Sequence, residues 1–198
     1  MQNIIFMDTK GKKIILGSGS PRRRELLAGL NIEFTVDTGN TFEEDNNLCL
    51  PHEEIPVAMA EGKSFGFHRD LAEDEILITA DTLVLCGDEV MGKPKNAEDA
   101  RRMLRRLSGR EHEVITAVTI RNSLRHTTFK DISIVHFKSL TDEEISYYID
   151  IFKPFDKAGA YGIQEWIGYI GIDRIDGSFF NIMGFPVHRV YAGLLDYL

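Results

Sequence analysis

Cysteine, tryptophan and net positive charge are all scarce in this chain of 198 residues. The two cysteines, Cys49 and Cys86, offer neither a metal-ligand spacing nor a disulfide framework, so a disulfide-stapled secreted module is excluded and a reducing compartment is the default. Acids outnumber bases 31 to 23, for a net charge of −8. Such a chain is a poor general binder of nucleic acid or anionic membrane, and any basic cluster must be a local site. No apolar run approaches the roughly 20 residues that span a bilayer. The first residues hold a short apolar run without the charged start, longer apolar core and cleavage pattern of a secretory leader. The expectation is a cytoplasmic protein with no membrane partner and no stable nucleic-acid partner. Repeats, low-complexity tracts and separating linkers are also lacking, so residues 1–198 read as a single α/β domain long enough to bury a sizeable core.

Hydrophobic residues make up 43% and charged residues 27%, an ordinary globular composition. "KIILG" reads as a buried strand closed by Gly17, and "SGS" as a loop. Ser20 then suits an N-cap and Pro21 a first helical residue, with the helix stopping near Gly29. "IEFTVD" alternates as a second strand, followed by a polar, acidic loop over 38–51. A helix is expected over "HEEIPVAMAEGKSFGFH", weakened by Gly62 and Gly66. "EILITADTLVLCGDEVMGKPK" reads as an apolar strand, an interruption at Asp81, and a hairpin. "NAEDARRMLRRLSG" is a helix capped by Asn96, with acids early, bases late and Gly109 as its stop. Two strands around "RNSL" come next, then a capped helix in "TDEEISYYIDIF". Residues 156–186 read as irregular with short strands, and a last amphipathic helix begins at Val187.

Three arginines, Arg22, Arg23 and Arg24, open the first helix, where the dipole favours anions and repels cations. A strand, a Gly/Ser loop and a helix start form an anion site, and arginines placed there fit a phosphate; the bland alternative is a solvated basic turn. Arg24 is the one expected to face solvent or pair with an acid. "GDEVMGKP" matches the spacing of a phosphate-binding P-loop but has Pro94 where Ser or Thr must hold magnesium, so that reading fails. Lys93 is left as either a phosphate ligand or an exposed turn lysine. Asp81 interrupts an apolar run, which suggests a magnesium ligand or general base beside Thr82, or else a strand-end aspartate. In "DKAGAYGIQEWIGYIG", the amide of Gln164 offers a donor and an acceptor, matching the edge of a uracil or thymine ring. The six histidines, His126 and His136 among them, show no zinc spacing, and no G-x-S-x-G elbow is present.

Taken in order, "LGSGSPRRRELL", "ADT", "GKPKNAEDARRMLRRLSGREHEVITAV", "DKAGAYGIQ" and "GSFFNIMGFP" resemble the Maf family of nucleoside triphosphate pyrophosphatases. The resemblance runs from about Ile14 to the C-terminus. It implies a mixed, twisted α/β sheet with flanking helices and two lobes around a deep cleft, similar to inosine triphosphate pyrophosphatases. It implies hydrolysis of the α–β phosphate bond of dTTP and UTP, rather than 7-methyl-GTP, to the monophosphate and pyrophosphate. Asp81 matches the proton acceptor and a metal position; Arg22, Thr82 and Gln164 match positions associated with base specificity; Ser18, Arg23, Lys63 and Lys93 match the phosphate cleft. The implied cofactor is a divalent cation, magnesium or manganese, and the implied assembly is a homodimer. The alternative is a nucleotide-binding regulator of cell division with weak or no turnover. Two departures stand out. Gly39 and Asn40 replace an acid pair of the family, with Glu43, Glu44 or Asp45 as substitutes, and Glu165 stands where glycine is commoner.

Overall fold

Apolar and polar stretches resolve into seven strands and seven α-helices among the described residues of the computed structural model, which are 8–43 and 49–198. The strands are β1 (Lys13–Leu16), β2 (Phe34–Val36), β3 (Glu75–Cys86), β4 (Glu89–Met91), β5 (Glu111–Arg121), β6 (His126–Phe137) and β7 (Ile172–Asp176). The helices are α1 (Pro21–Ala28), α2 (Ile55–Phe65), α3 (Ala97–Leu107), α4 (Asp142–Phe152), α5 (Trp166–Gly171), α6 (Phe179–Ile182) and α7 (Val187–Leu195). The sheet runs β2-β1-β3-β5-β6-β7, with β4 added on β3. It is mixed, as expected: β1 pairs parallel with β2 and with β3, whereas β3/β4 and β6/β7 are antiparallel. The parallel β1–β2 pair needs a crossover, and α1 supplies it.

The chain groups into two compact units, and the boundary falls inside β3 between Asp81 and Thr82. The first unit takes the chain up to Asp81, Thr116–Lys130 and Gly184–Leu198. Its interior is built on β1, whose Ile14, Ile15 and Leu16 are all buried. The buried Thr79 hydroxyl on β3 donates to the Ala60 carbonyl of α2 at 2.7 Å, so the polar group inside the apolar run is satisfied. The second unit comprises Thr82–Ile115 and Asp131–Met183. Its core gathers Met91 from β4, Leu104 and Leu107 from α3 and Tyr148 from α4.

Local signals account for several element ends. Asn96 caps α3 by accepting from the Asp99 amide at 2.9 Å. Thr141 and Glu144 form a reciprocal capping box on α4. Gly87 and Asp88 turn the β3–β4 hairpin, with Gly87 at φ +63°. "GDEVMGKP" therefore passes through a turn and a strand, not a P-loop.

Other expectations need correction. β3 runs unbroken through Asp81, because the carboxylate has a cation beside it and need not leave the strand. The helix expected over 52–68 is a 3-10 turn (His52–Glu54) followed by α2, which ends at Phe65. Gly62 does not break α2; a Cβ there would lie 2.3 Å from the Phe42 ring, so the glycine makes room for that ring. The stretch 156–186 holds two short helices, a 3-10 turn and only one strand, β7. In the acidic loop, Asn40 bridges to Phe67 and the Thr41 amide donates to the Gly66 carbonyl at 2.8 Å.

Candidate active site

The three arginines divide once α1 is built. Ser20 is the N-cap by position and Pro21 the first residue, but the Ser20 side chain makes no capping bond and no acid stands in the first turn. The Ser20 amide instead donates to Ser18 Oγ at 3.3 Å. Arg24 is exposed, as expected, while Arg22 and Arg23 are half-buried. Arg23 Nε donates to the Gly184 carbonyl at 2.9 Å, and its Nη1 donates to the Ala80 carbonyl at 2.8 Å and to Ser18 Oγ at 3.3 Å. One guanidinium thus ties the Gly/Ser loop, the residue before Asp81 and the segment before α7. Its planar fork of donors suits this, and its charge is kept while the carbonyls are satisfied.

Asp81 and Lys63 meet as a pair, Nζ to Oδ1 at 2.7 Å, each side chain 22% exposed. Lys63 lies in the last turn of α2, where a cation complements the helix dipole. The ammonium balances a carboxylate that would otherwise stand uncompensated among buried strand residues. Asn40 donates from Nδ2 to the Lys63 backbone carbonyl at 2.5 Å and accepts from the Phe42 amide at 2.7 Å. Asn40 therefore holds the loop against α2. Glu43 is exposed, and Glu44 and Asp45 lie outside the described residues. Among the described residues, no group of three or more His, Cys, Asp or Glu side chains could hold a metal by itself. One carboxylate does fit magnesium, which commonly binds through one or two carboxylates and completes its shell with water and substrate phosphates.

Thr82, the residue after Asp81 on β3, falls in the second unit and is half-buried. Lys93 is exposed between β4 and α3. Gln164 lines an open groove of about 370 Å³ with Tyr169, Arg174 and Phe179. Its Oε1 is buried and has no hydrogen-bond partner among the described residues, an arrangement that leaves an acceptor in want of a donor.

Beside Gln164, Glu165 accepts from the Tyr148 hydroxyl through Oε2 and pairs with Lys157 through Oε1 at 3.0 Å. Tyr148 and Lys157 escape sequence reasoning. A lysine inside the apolar, glycine-rich "DKAGAYGIQ" is the signal that could have found Lys157, since a buried ammonium requires a partner. Nothing local marks the Gly184 and Ala80 carbonyls that hold Arg23.

Residues 13–197 match the family model described as Maf-like protein. A "dTTP/UTP pyrophosphatase" of Phocaeicola vulgatus is 50% identical over 182 residues, 92% of this chain and 94% of the relative. One of Parabacteroides distasonis is 50% identical over 185 residues, covering 93% and 96%. One of Porphyromonas gingivalis is 47% identical over 190 residues, covering 95% and 96%. With the family model spanning nearly the whole chain and relatives this similar at full length, the chain belongs to the Maf family.

Proposed function

We propose that the chain is a nucleoside triphosphate pyrophosphatase that hydrolyses dTTP and UTP between the α- and β-phosphates, releasing the monophosphate and pyrophosphate. The observation that carries the reading is the Asp81–Lys63 pair at 2.7 Å in a unit that also holds Arg22, Arg23 and the Ser18 loop. It joins a carboxylate able to take a proton to cations able to hold phosphate, and three relatives at 47–50% identity carry that activity in their names.

In this mechanism Asp81 orients a water and accepts its proton as the water attacks phosphorus in line with the leaving pyrophosphate. Lys63, next to Asp81, stabilises charge on the phosphate oxygens, and Arg22, Arg23 and Ser18 hold the polyphosphate at the start of α1. Lys93 is assigned a supporting phosphate contact. A divalent ion, magnesium by the donor chemistry and manganese as its substitute, would neutralise the phosphates and make the attacking water more acidic. Gln164, Thr82 and Arg22 discriminate the base, the Gln164 amide facing the O4 and N3–H edge of uracil or thymine. The whole chain serves as one catalytic domain, works as a homodimer and acts on the cytoplasmic nucleotide pool. Among the described residues no helix is long and apolar enough to cross a membrane.

Incubating the purified protein and magnesium with dTTP, UTP, CTP, GTP and 7-methyl-GTP, and measuring pyrophosphate separately from orthophosphate, tests the reading. Pyrophosphate is expected from dTTP and UTP first. Orthophosphate release, or equal turnover of all five, contradicts it. Light scattering at micromolar protein checks the dimer.

A further inference from the structure

We propose that Glu165 is a positioning residue for base selection: it clamps the turn that carries Gln164. This rests on the assignment of Gln164 to the base.

Glu165 uses both carboxylate oxygens. Oε1 lies 3.0 Å from the Lys157 ammonium, and Oε2 accepts from the Tyr148 hydroxyl. The same hydroxyl accepts from the Gly162 amide at 2.9 Å, and the Glu165 amide donates to the Gly162 carbonyl at 3.0 Å. The turn from Gly162 to Glu165, with Gln164 inside it, is therefore closed on itself and fastened to α4 through one phenol. That anchor is firm: Tyr148 is fully buried and stacks on Phe152 at 5.2 Å. Lys157 is 8% exposed, so its charge is held by Asp156 at 2.7 Å and by Glu165. Gly162 leaves the space; a Cβ there would lie 2.9 Å from Glu165 Cδ and 3.0 Å from Lys157 Cε.

A glycine at position 165 would keep the backbone bond to Gly162 but supply neither side-chain contact. Tyr148 would lose its acceptor and Lys157 would keep only Asp156, whose side chain is 57% exposed. Buried donors left in this way pull neighbouring chain toward new partners. The residue that must hold an unpartnered acceptor at a base edge lies directly before Glu165. A side-chain amide displaced by a fraction of an ångström loses the hydrogen bonds that separate one base from another.

The test compares Glu165→Ala, Glu165→Gln and Tyr148→Phe with the parent protein. Turnover of dTTP and CTP is measured alongside the Gln164 side-chain NH2 resonances in ¹⁵N spectra. Glu165→Ala is expected to raise KM for dTTP about tenfold and to lower the dTTP-over-CTP ratio of kcat/KM by a similar factor, with kcat within about threefold. Its Gln164 side-chain signals broaden or split. Glu165→Gln, whose amide oxygen still accepts from Tyr148, restores most of the selectivity, and Tyr148→Phe falls between. An Ala variant with parental KM and selectivity, or with only a lowered melting temperature, overturns the clamp. If the parent turns over neither nucleotide, the pyrophosphatase reading fails. The Gln164 resonances then decide the clamp separately: unchanged signals in Glu165→Ala overturn it, and broadened ones uphold it.

Discussion

The Asp81–Lys63 pair and the Glu165–Lys157 pair are both carboxylate–ammonium contacts, at 2.7 Å and 3.0 Å, yet they are built for different ends. Asp81 and Lys63 are each 22% exposed, open enough to trade partners with a substrate. Lys157 is 9% exposed along its side chain, and its partner Glu165 is also bonded to the fully buried Tyr148. Chemistry needs the first kind, where a proton and a phosphate can reach the charges. Precision needs the second, where charges are sealed so that backbone nearby stays put. Arg23 combines the two: it carries a cation at a candidate phosphate site while bonding the carbonyls of Gly184 and Ala80.

Substitutions should separate these roles. The largest effect belongs to Asp81→Asn, which keeps shape and removes the proposed base. Activity should fall about a thousandfold, in line with loss of a general base, with the melting temperature within a few degrees of the parent. Arg23→Ala should lose about a hundredfold in kcat/KM and also destabilise the fold by about 1–3 kcal/mol, because two carbonyls lose a donor. Steady-state kinetics paired with urea unfolding reads both. Arg24→Ala, on an exposed side chain, should change neither by more than about twofold.

Smaller again is Lys63→Met. Water reaches both side chains of the pair, so removing the cation should cost about tenfold in kcat for dTTP and little stability. A large drop in melting temperature would place Lys63 with the sealed kind of pair.

His112 gives a pH-dependent contrast within the second unit. It is buried, stacks on Phe137 at 5.5 Å, and its Nε2 lies 2.7 Å from the Tyr161 hydroxyl. Burial first, then the nearby His136, pushes it down from 6.5 to about 3. The folded protein keeps His112 neutral while the unfolded chain binds a proton below 6.5. Its stabilising contribution is therefore complete above that pH and is lost as pH falls from 6.5 toward 3. Between pH 6.5 and 5 the loss should be about 2 kcal/mol. Urea unfolding at the two pH values should show a smaller loss in His112→Gln.

How much of this was legible varied with how local the cause is. Asn96 and Thr141 cap their helices as read, since a cap is a bond over three residues. The strands of "KIILG" and "IEFTVD" also lie as read. Asp81 misled because a carboxylate among apolar neighbours predicts a break, whereas the compensating ammonium comes from α2, 18 residues earlier. Arg23's bond to Gly184 spans 161 residues, and no pattern in either stretch announces it. Short helices replaced expected strands in 156–186 because packing, not periodicity, shapes segments this rich in glycine and aromatics. For the site, the residue types came from motif chemistry and the resemblance, while the supports (Tyr148, Lys157, the Ala80 and Gly184 carbonyls) had to be seen in three dimensions.

The most direct test pairs dTTP binding with pyrophosphate release for the parent and Asp81→Asn. The account predicts that the parent both binds and releases pyrophosphate, and that the variant binds within about threefold of the parent while its release falls about a thousandfold. Undiminished release by Asp81→Asn would remove Asp81 from the chemistry. Binding without release in the parent itself would contradict the enzyme and leave a nucleotide-binding regulator.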